Sequence, residues 1–538
     1  MKGWRPLDRL HPAVVAVGFF AGLCVICLPL ANRCYSNGLV DIGEYLNNAV
    51  RLLEGQLPYR DFWLFHPPGE VFLPASQYRL AGVQINHILA VNVLINVLTG
   101  ACSFILARRL LHNNTFALWT ALVVFFNGVP TGPGMAVASQ SNQYFLGLVI
   151  AFILFVQAVE TDRPVWLWWS GVAVGCASVF RFFDAAPAVL ALLTGIGIQW
   201  GPRDAVKRMG VFAAGGAAVW VAVSAVLRPV WWPMMRAITV EALRHHVRFF
   251  HGARLWWPLA DGGRAVLEQL RLLRRVGGFT ENAKLLFRLF SLLNSVVLYL
   301  LPLFVGAIGG HAVLRKRIEK SERAITAAFL IWGLLALGKA FKYPAIYYWA
   351  AGTTPLLFVL GLMARWAPGQ GVQRWRAPLA GIALALTLSI PSGVAIAAMR
   401  LATVHERIDG PGGFLMVEDA GYAQEVRSVI ALILQRSWPG DYVFIDAYHI
   451  PPLYAMTGRK NATRYDSLQD LFATQLAGLP TEAEEAQICH ELLSKETTVI
   501  VTEQRKRSNQ YHVLQRCITS HFVLAGQCGG YDIYASPR

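Results

Sequence analysis

The chain reads as a polytopic α-helical membrane protein, with about 11 transmembrane helices and a small C-terminal α/β domain outside the membrane. Three observations predict this class. Hydrophobic residues make up 55% of the 538 residues and charged residues only 15%, with a mean hydropathy of +0.43. A water-soluble chain carries about a quarter charged residues. The charge that exists is segregated, leaving long apolar runs of the roughly 20 residues a helix needs to cross the hydrocarbon with its backbone hydrogen bonds satisfied internally. Beyond residue 401 polarity returns, and helical periodicity alternates with short β-rich runs.

The spans fall at 12–32, 86–107, 116–130, 143–159, 165–180, 185–200, 209–228, 292–314, 324–338, 343–363 and 378–399. Lys2, Arg5 and Arg9 precede the first, whose length favours a retained signal-anchor over a cleaved signal peptide. Lys and Arg set the orientation. Six loops on one side hold 17 of them: Lys2, Arg5 and Arg9; Arg108 and Arg109; Arg163; Arg203, Lys207 and Arg208; Arg315, Lys316, Arg317, Lys320 and Arg323; Arg365, Arg374 and Arg376. Three short loops opposite hold only Arg181, Lys339 and Lys342. The N-terminus is therefore expected in the cytoplasm and the C-terminal domain outside an inner (plasma) membrane. The long outer segment 231–291 carries ten basic residues, but long loops obey the rule poorly. The net charge of +16 suits a membrane-lipid surface, and no nucleic-acid motif accompanies it.

Residues 1–400 form the membrane part, interrupted by an outer loop (33–85) and the outer amphipathic segment 231–291; residues 401–538 form the outer domain. Within the loop, DIGEYLNNAVRLLEG (41–55) places Ile42, Tyr45, Leu46, Ala49, Leu52 and Leu53 on one face, as in a helix lying at the membrane surface. Gly55 is positioned to end it. Segment 231–291 has tryptophan pairs at 231–232 and 256–257, then His245, His246, Arg248 and His251, and a basic amphipathic stretch at 264–276. It reads equally as an interfacial anchor and as a contact for a lipid phosphate. In the tail, a helix at 423–436, a strand at 441–448, a helix at 482–494, a strand at 497–503 and a hairpin of 521–525 with 531–535 are expected. No glycine-rich phosphate loop follows the first strand. Cys24 and Cys27 lie within the first span as packing residues. Cys489, Cys517 and Cys528 fall outside, with a Cys517–Cys528 bridge as one pairing. The Asn461-Ala-Thr463 sequon matters only in a glycosylating compartment.

Chemistry is expected where polar groups gather at the outer ends of helices, because charge within the bilayer is costly. Asp41 and Glu44 share one side of the surface helix, where a carboxylate can take a proton from an attacking hydroxyl. Asp41 reads as well as an N-cap. The segment PYRDFWLFHPPGEVF (58–72) fixes its backbone with prolines and offers Tyr59, Arg60, Asp61, His66 and Glu70 among aromatics. A rigid surface loop explains the same prolines. Arg181 and Asp184 form either a local ion pair or a phosphate contact. In GKAFKYPAIYYWAAGTTP (338–355), Lys339 and Lys342 either stabilise a departing phosphate or snorkel.

In this order, the pieces resemble the GT-C superfamily of polyprenyl-phosphate-dependent glycosyltransferases, among them the 4-amino-arabinose lipid A transferase and the protein O-mannosyltransferases. The resemblance rests on Asp41 after the first span; on Ala49, Leu52, Gly55, Pro58, Tyr59 and Asp61; on His66-Pro67-Pro68-Gly69; and on Lys342, Tyr343, Tyr347 and Pro355. It implies an inverting transfer of a sugar from a polyprenyl-phosphate donor to a lipid, glycan or protein acceptor. Asp41 would be the base with Glu44 beside it. Tyr59, Arg60, Asp61, His66, Arg181, Lys339, Lys342, Tyr343 and Tyr347 would bind substrate. The chain departs from the family in spacing its two acids three residues apart and in having no acid in 128–142. With no Asp-x-Asp, neither a metal nor another cofactor is expected. A lipid or solute transporter also accounts for the spans, but the chain shows no pair of similar halves.

Overall fold

The computed structural model describes residues 7–33, 40–64, 66–128, 140–241, 301–314, 318–340, 346–366, 405–446, 453–465, 481–504 and 511–537, with scattered residues between 382 and 402. The membrane part contains α1 (Pro12–Cys27), α2 (Val40–Leu53), α3 (Gly69–Ala81), α4 (Ile85–Leu111), α5 (Asn114–Val123), α6 (Gln140–Thr161), α7 (Pro164–Ser178), α8 (Phe182–Gln199), α9 (Pro202–Val226) and the short α10 (Trp231–Met235). It continues with α11 (Leu301–Leu314), α12 (Lys320–Ala340) and α13 (Ile346–Trp366). The described part of each expected span from 12–32 to 343–363 falls on one of these helices, while 129–130, 292–300, 343–345 and most of 378–399 lie outside the described residues. Among the described residues, six helices are long and apolar enough to cross a membrane. Several present bare apolar faces outward: Val17 and Val25 of α1 are 67% and 75% exposed, and Val221 of α9 is 68% exposed. Such faces suit lipid.

Glycines set the closest helix contacts. Gly171 of α7 faces the backbone of Phe212 and Gly216 of α9, Gly175 faces that of Gly216, Gly215 of α9 faces that of Trp168 of α7, and Gly195 of α8 lies against Ala324 and Ala328 of α12. Small residues allow this approach where lipid supplies no hydrophobic drive. The two ends of the bundle differ. At one, Asp8 accepts hydrogen bonds from Asn113 and the backbone of Asn114, Arg109 pairs with Glu160 (2.9 Å), and Arg208 pairs with Asp162 (2.9 Å). At the other lie α2, α3, the turn between α7 and α8, and the C-terminal α/β region. Arg109 and Arg208 thus lie at the end away from that region.

The C-terminal elements are β1 (Glu406–Gly410), β2 (Gly413–Val417), α14 (Ala420–Arg436), β3 (Tyr442–Asp446), α15 (Leu453–Thr457), β4 (Lys460–Asn461), α16 (Glu482–Ser494), β5 (Val499–Glu503), α17 (His512–His521), β6 (Val523–Cys528) and β7 (Tyr531–Ala535). The sheet runs β4-β3-β5-β7-β6, with β3 parallel to β4 and β5, and β7 antiparallel to β5 and β6. Strand alternation divides its faces. Phe444 and Ile500 pack with α16 and α17, whereas Val443, Ile445, Val499 and Val501 join a core shared with α14, α2 and α4. The expected helices, strands and hairpin of the tail are all present. The hairpin β1–β2, not expected, latches the region onto the bundle: Gly412 O accepts from Ile85 N (2.9 Å), and Asn86 exchanges hydrogen bonds with Phe414.

The cysteine pairing corrects the expectation. Cys489 of α16 is bridged to Cys517 of α17, with Cα atoms 6.1 Å apart, and Cys528 is free. The two bridged residues face each other where the helices pack, whereas Cys528 sits across the sheet edge at the end of β6. Burial, and then the carboxylate of Glu425, push the Cys528 thiol up, which favours an inert protonated form. Replacing Cys517 by Ser is expected to cost the region about 2–4 kcal/mol, whereas Cys528→Ser should stay within about 0.5 kcal/mol of wild type. Thermal melts with non-reducing peptide mapping would check both. The sequon is closed to modification: Asn461 is 2% exposed and donates to Tyr465 O (2.8 Å).

Candidate functional site

The loop after α2 is built by its own polar atoms. Gly55 leaves the helix with φ of 86°, and Leu57 N donates to Asp61 Oδ2 (2.8 Å) while Asp61 N returns to Leu57 O (2.9 Å). Tyr59 takes φ of 67°, a left-handed conformation uncommon for a residue with a side chain. It is held by Tyr59 N to Phe62 O (2.9 Å) and Tyr59 Oη to His66 O (2.7 Å). Arg60 is exposed along Asp61, and its guanidinium holds that carboxyl below the usual carboxylate range. Arg51 is 3% exposed; it donates to Gln56 Oε1 (2.9 Å) and Asp61 O (3.3 Å) and lies 4.8 Å over the Phe62 ring. Tyr59, Phe62 and Leu64 then pack with Leu227, Val230, Met234 and Ile238 beyond α9. Asp61 therefore closes a turn, Arg60 faces solvent beside it, and the hydroxyl of Tyr59 fixes the approach to His66.

Next to this loop lies a half-open cavity of about 350 Å³, including its mouth, lined by Tyr45, Glu70, Gln77, Asn92, Gln143 and Phe180 among others. Pro67 and Pro68 restrict the backbone ahead of α3, and Gly69 N donates to Val179 O (3.0 Å). A Cβ at Gly69 would stand 2.8 Å from that oxygen, so this approach needs glycine. Glu70 follows with its side chain fully buried, and its Oε1 is 3.7 Å from His66 Nδ1. The His66 ring meets Tyr45 edge-on at 6.1 Å. Gln143 donates to Asn92 Oδ1 (2.8 Å), while Gln143 Oε1 and Gln77 Oε1 are shielded from solvent and accept no hydrogen bond among the described residues. Beside Phe180, Arg181 pairs with Asp184 at 3.3 Å, and Tyr144 donates its hydroxyl to the Asp184 carbonyl.

The predicted residues partly converge here. Asp41 is the second residue of α2, one helical turn before Tyr45, and Glu44 adjoins Tyr45. His66 and Arg181 are neighbours of lining residues. Lys339 and Tyr347 lie in the last turn of α12 and the first of α13. The end of α12 is at the same end of the bundle, because α12 runs antiparallel to α8 and α6: Gly195 meets Ala324, and Phe152 and Phe145 meet Phe329 and Trp332 in turn. Lys342 and Tyr343 lie outside the described residues, as do 129–139, His245, His246, Arg248, His251, the tryptophans at 256–257 and the stretch 264–276.

Sequence reasoning missed the cavity's polar wall. Glu70 was legible as a polar loop residue but not as a buried one. Asn92 and Gln143 come from separate spans, where only their polarity within apolar runs marks them. A larger cavity, about 460 Å³, lies between α17 and the sheet, lined by Asp446, Thr502, Glu503 and Tyr511 among others. No predicted site residue touches it.

Residues 65–231 match the family model described as dolichyl-phosphate-mannose-protein mannosyltransferase. A search of the curated proteins returns no match. Among solved structures, the chain is similar to the crystal structure of ArnT from Cupriavidus metallidurans bound to undecaprenyl phosphate. The identity is 13%, the alignment covers 96% of this chain and 97% of that one, and the TM-score is 0.55. The apo state of the same protein gives 12% identity, 98% coverage of each chain and a TM-score of 0.53. The chain thus has the GT-C fold of a multi-pass membrane protein, as the sequence resemblance implied.

Proposed function

We propose that the chain is an integral-membrane glycosyltransferase that moves a sugar from a polyprenyl-phosphate donor to an extracytoplasmic acceptor with inversion. One observation carries the reading. The helix bearing Asp41 and Glu44, the His66 loop and the Arg181 turn meet around a single polar cavity at one end of the bundle. Asp41 takes the proton from the acceptor hydroxyl as that oxygen attacks the anomeric carbon, with Glu44 the next carboxylate in line. The bond from carbon to phosphate oxygen breaks on the opposite face, and its electron pair leaves with the lipid phosphate. Cationic groups at His66, Arg181, Lys339 and Lys342 offset the charge that develops there. Tyr45, Phe180, Asn92 and Gln143 offer the aromatic and amide surfaces a sugar ring requires, and Tyr343 and Tyr347, close to the lysines in sequence, bind substrate with them. Tyr59, Arg60 and Asp61 set the loop that carries His66. No metal is required, because phosphate is a competent leaving group. ArnT, which shares the fold, binds undecaprenyl phosphate.

Residues 1–400, with eleven spans, would form the catalytic part, and 401–538 an extracytoplasmic α/β domain at an inner (plasma) membrane. The Cys489–Cys517 bridge supports that side, since disulfides persist in oxidising compartments. The basic residues at the opposite end support a cytoplasmic N-terminus. The test is to incubate the detergent-purified protein with a panel of polyprenyl-phosphate sugars and measure release of polyprenyl phosphate. Release from at least one donor is the expected result. No release from any donor, together with substrate movement in reconstituted vesicles, would instead establish a transporter.

A further inference from the structure

We infer that Glu70 is a positioning residue that keeps His66 protonated beside the cavity, so that the donor phosphate meets an imidazolium. The inference rests on the transferase reading for its ligand. The geometry is particular. An i, i+4 His–Glu pair on a helix surface contributes only about 0.3–0.5 kcal/mol, but here the Glu70 side chain is fully buried and the imidazole is 23% exposed. Burial alone disfavours the ionised carboxylate, and the adjacent imidazolium is what offsets that cost. Between the two charges screening is weak, so each favours the other's ionised form more than at a surface. The buried carboxylate lines the cavity next to the ring, and the ring keeps part of its own surface open to an incoming anion. The preceding turn secures this pairing. Tyr59 donates to the His66 carbonyl, Pro67 and Pro68 restrict the chain, and Gly69 locks the start of α3 onto Val179.

Among the described residues, the other charged or titratable groups on the elements around His66 are Tyr59, Arg60 and Asp61 in its own loop, Asp41, Glu44, Tyr45 and Arg51 on α2, Tyr78 and Arg79 on α3, and Arg181 and Asp184 beyond the Val179 turn. Tyr59 stays neutral across the working range, since burial and then the charge of Glu70 push its phenol well above its ordinary value. A neighbouring carboxylate favours the protonated imidazole, so Glu70 extends cation-dependent phosphate binding to higher pH. Losing its charge moves the loss of binding to lower pH.

The experiment measures binding of undecaprenyl phosphate to the full-length protein in detergent between pH 5.5 and 8. Five proteins are compared: wild type, Glu70→Gln, Glu70→Asp, His66→Lys, and His66→Lys combined with Glu70→Gln. The phosphate itself titrates near pH 6, but equally for every variant. Glu70→Gln is expected to match wild type at pH 5.5 and to bind about tenfold more weakly at pH 8, a difference of one pH unit's worth of protonation. Glu70→Asp should recover most of that loss. In the His66→Lys background, where the cation needs no help, Glu70→Gln should no longer change the pH profile. A Glu70→Gln profile identical to wild type would overturn this inference alone. So would a uniform weakening that persists with Lys at position 66, which marks a structural role. Failure of wild type to bind undecaprenyl phosphate at any pH would overturn the donor reading as well.

Discussion

Asp41→Asn is expected to reduce sugar transfer by a factor of about 10²–10⁴, the range a positioned general base supplies, while donor binding stays within about twofold of wild type. The substitution separates the two roles that the sequence allows Asp41. Asn serves the start of a helix as well as Asp does, so a residue needed only there would tolerate the change. Asparagine cannot accept the proton released as the acceptor oxygen attacks. The helix bounds make the comparison sharper, because α2 begins at Val40 and Asp41 is within its first turn. Single-turnover donor consumption is the readout, with undecaprenyl phosphate binding and thermal stability measured on the same preparation. Undiminished turnover in Asp41→Asn would move the base to Glu44, where Glu44→Gln repeats the test.

The membrane part was legible because its signals are periodic and local. Span length, the segregation of Lys and Arg, and the strand alternation of 442–446 and 499–503 need no tertiary information. The amphipathic pattern of 41–55 located α2 for the same reason. What escaped depends on residues far apart in sequence. Asn92 and Gln143 meet only because α4 and α6 pack together, and each alone reads as an ordinary polar interruption of an apolar span. Glu70 looked like part of a loop because Pro67 and Pro68 precede it, yet those prolines are what start α3 and turn its carboxylate inward. Cys517 was paired with its nearer neighbour in sequence, while the choice is made by α16 packing on α17. Asp61 carried the family pattern, and the structure gives it a clear local task in closing the turn with Leu57. A motif residue can thus be retained by the loop that presents the site as well as by the site.

The same reasoning makes the contact of α7 with α9 the place where one substitution should do the most structural damage. A Cβ at Gly171 would lie 2.0 Å from Phe212 O, and one at Gly215 would lie 2.2 Å from Trp168 O. Neither obstacle is a movable side chain, so any larger residue must push the helices apart. Within lipid no hydrophobic force restores the contact, and packing at small residues is what holds it. The far side of α9 is bare, with Val206, Val221 and Val226 about 70% exposed, so α9 has few other attachments. The bond from Trp220 Nε1 to Ser178 Oγ, 2.8 Å, spans the same contact and would be lost with it. Gly171→Val is therefore expected to destabilise the fold by more than the roughly 1–3 kcal/mol of ordinary overpacking, seen as a lowered melting temperature and early elution from a sizing column. Gly210→Ala on the same helix, where a Cβ meets nothing within 4 Å, should behave as wild type. Gly171→Val should also lose transfer activity in whatever fraction remains folded. The segment after α9 carries Leu227, Val230, Met234 and Ile238, which pack under Tyr59, Phe62 and Leu64 and so hold the loop that presents His66. A Gly171→Val protein with wild-type melting and wild-type turnover would mean that α9 neither depends on this contact nor supports the site.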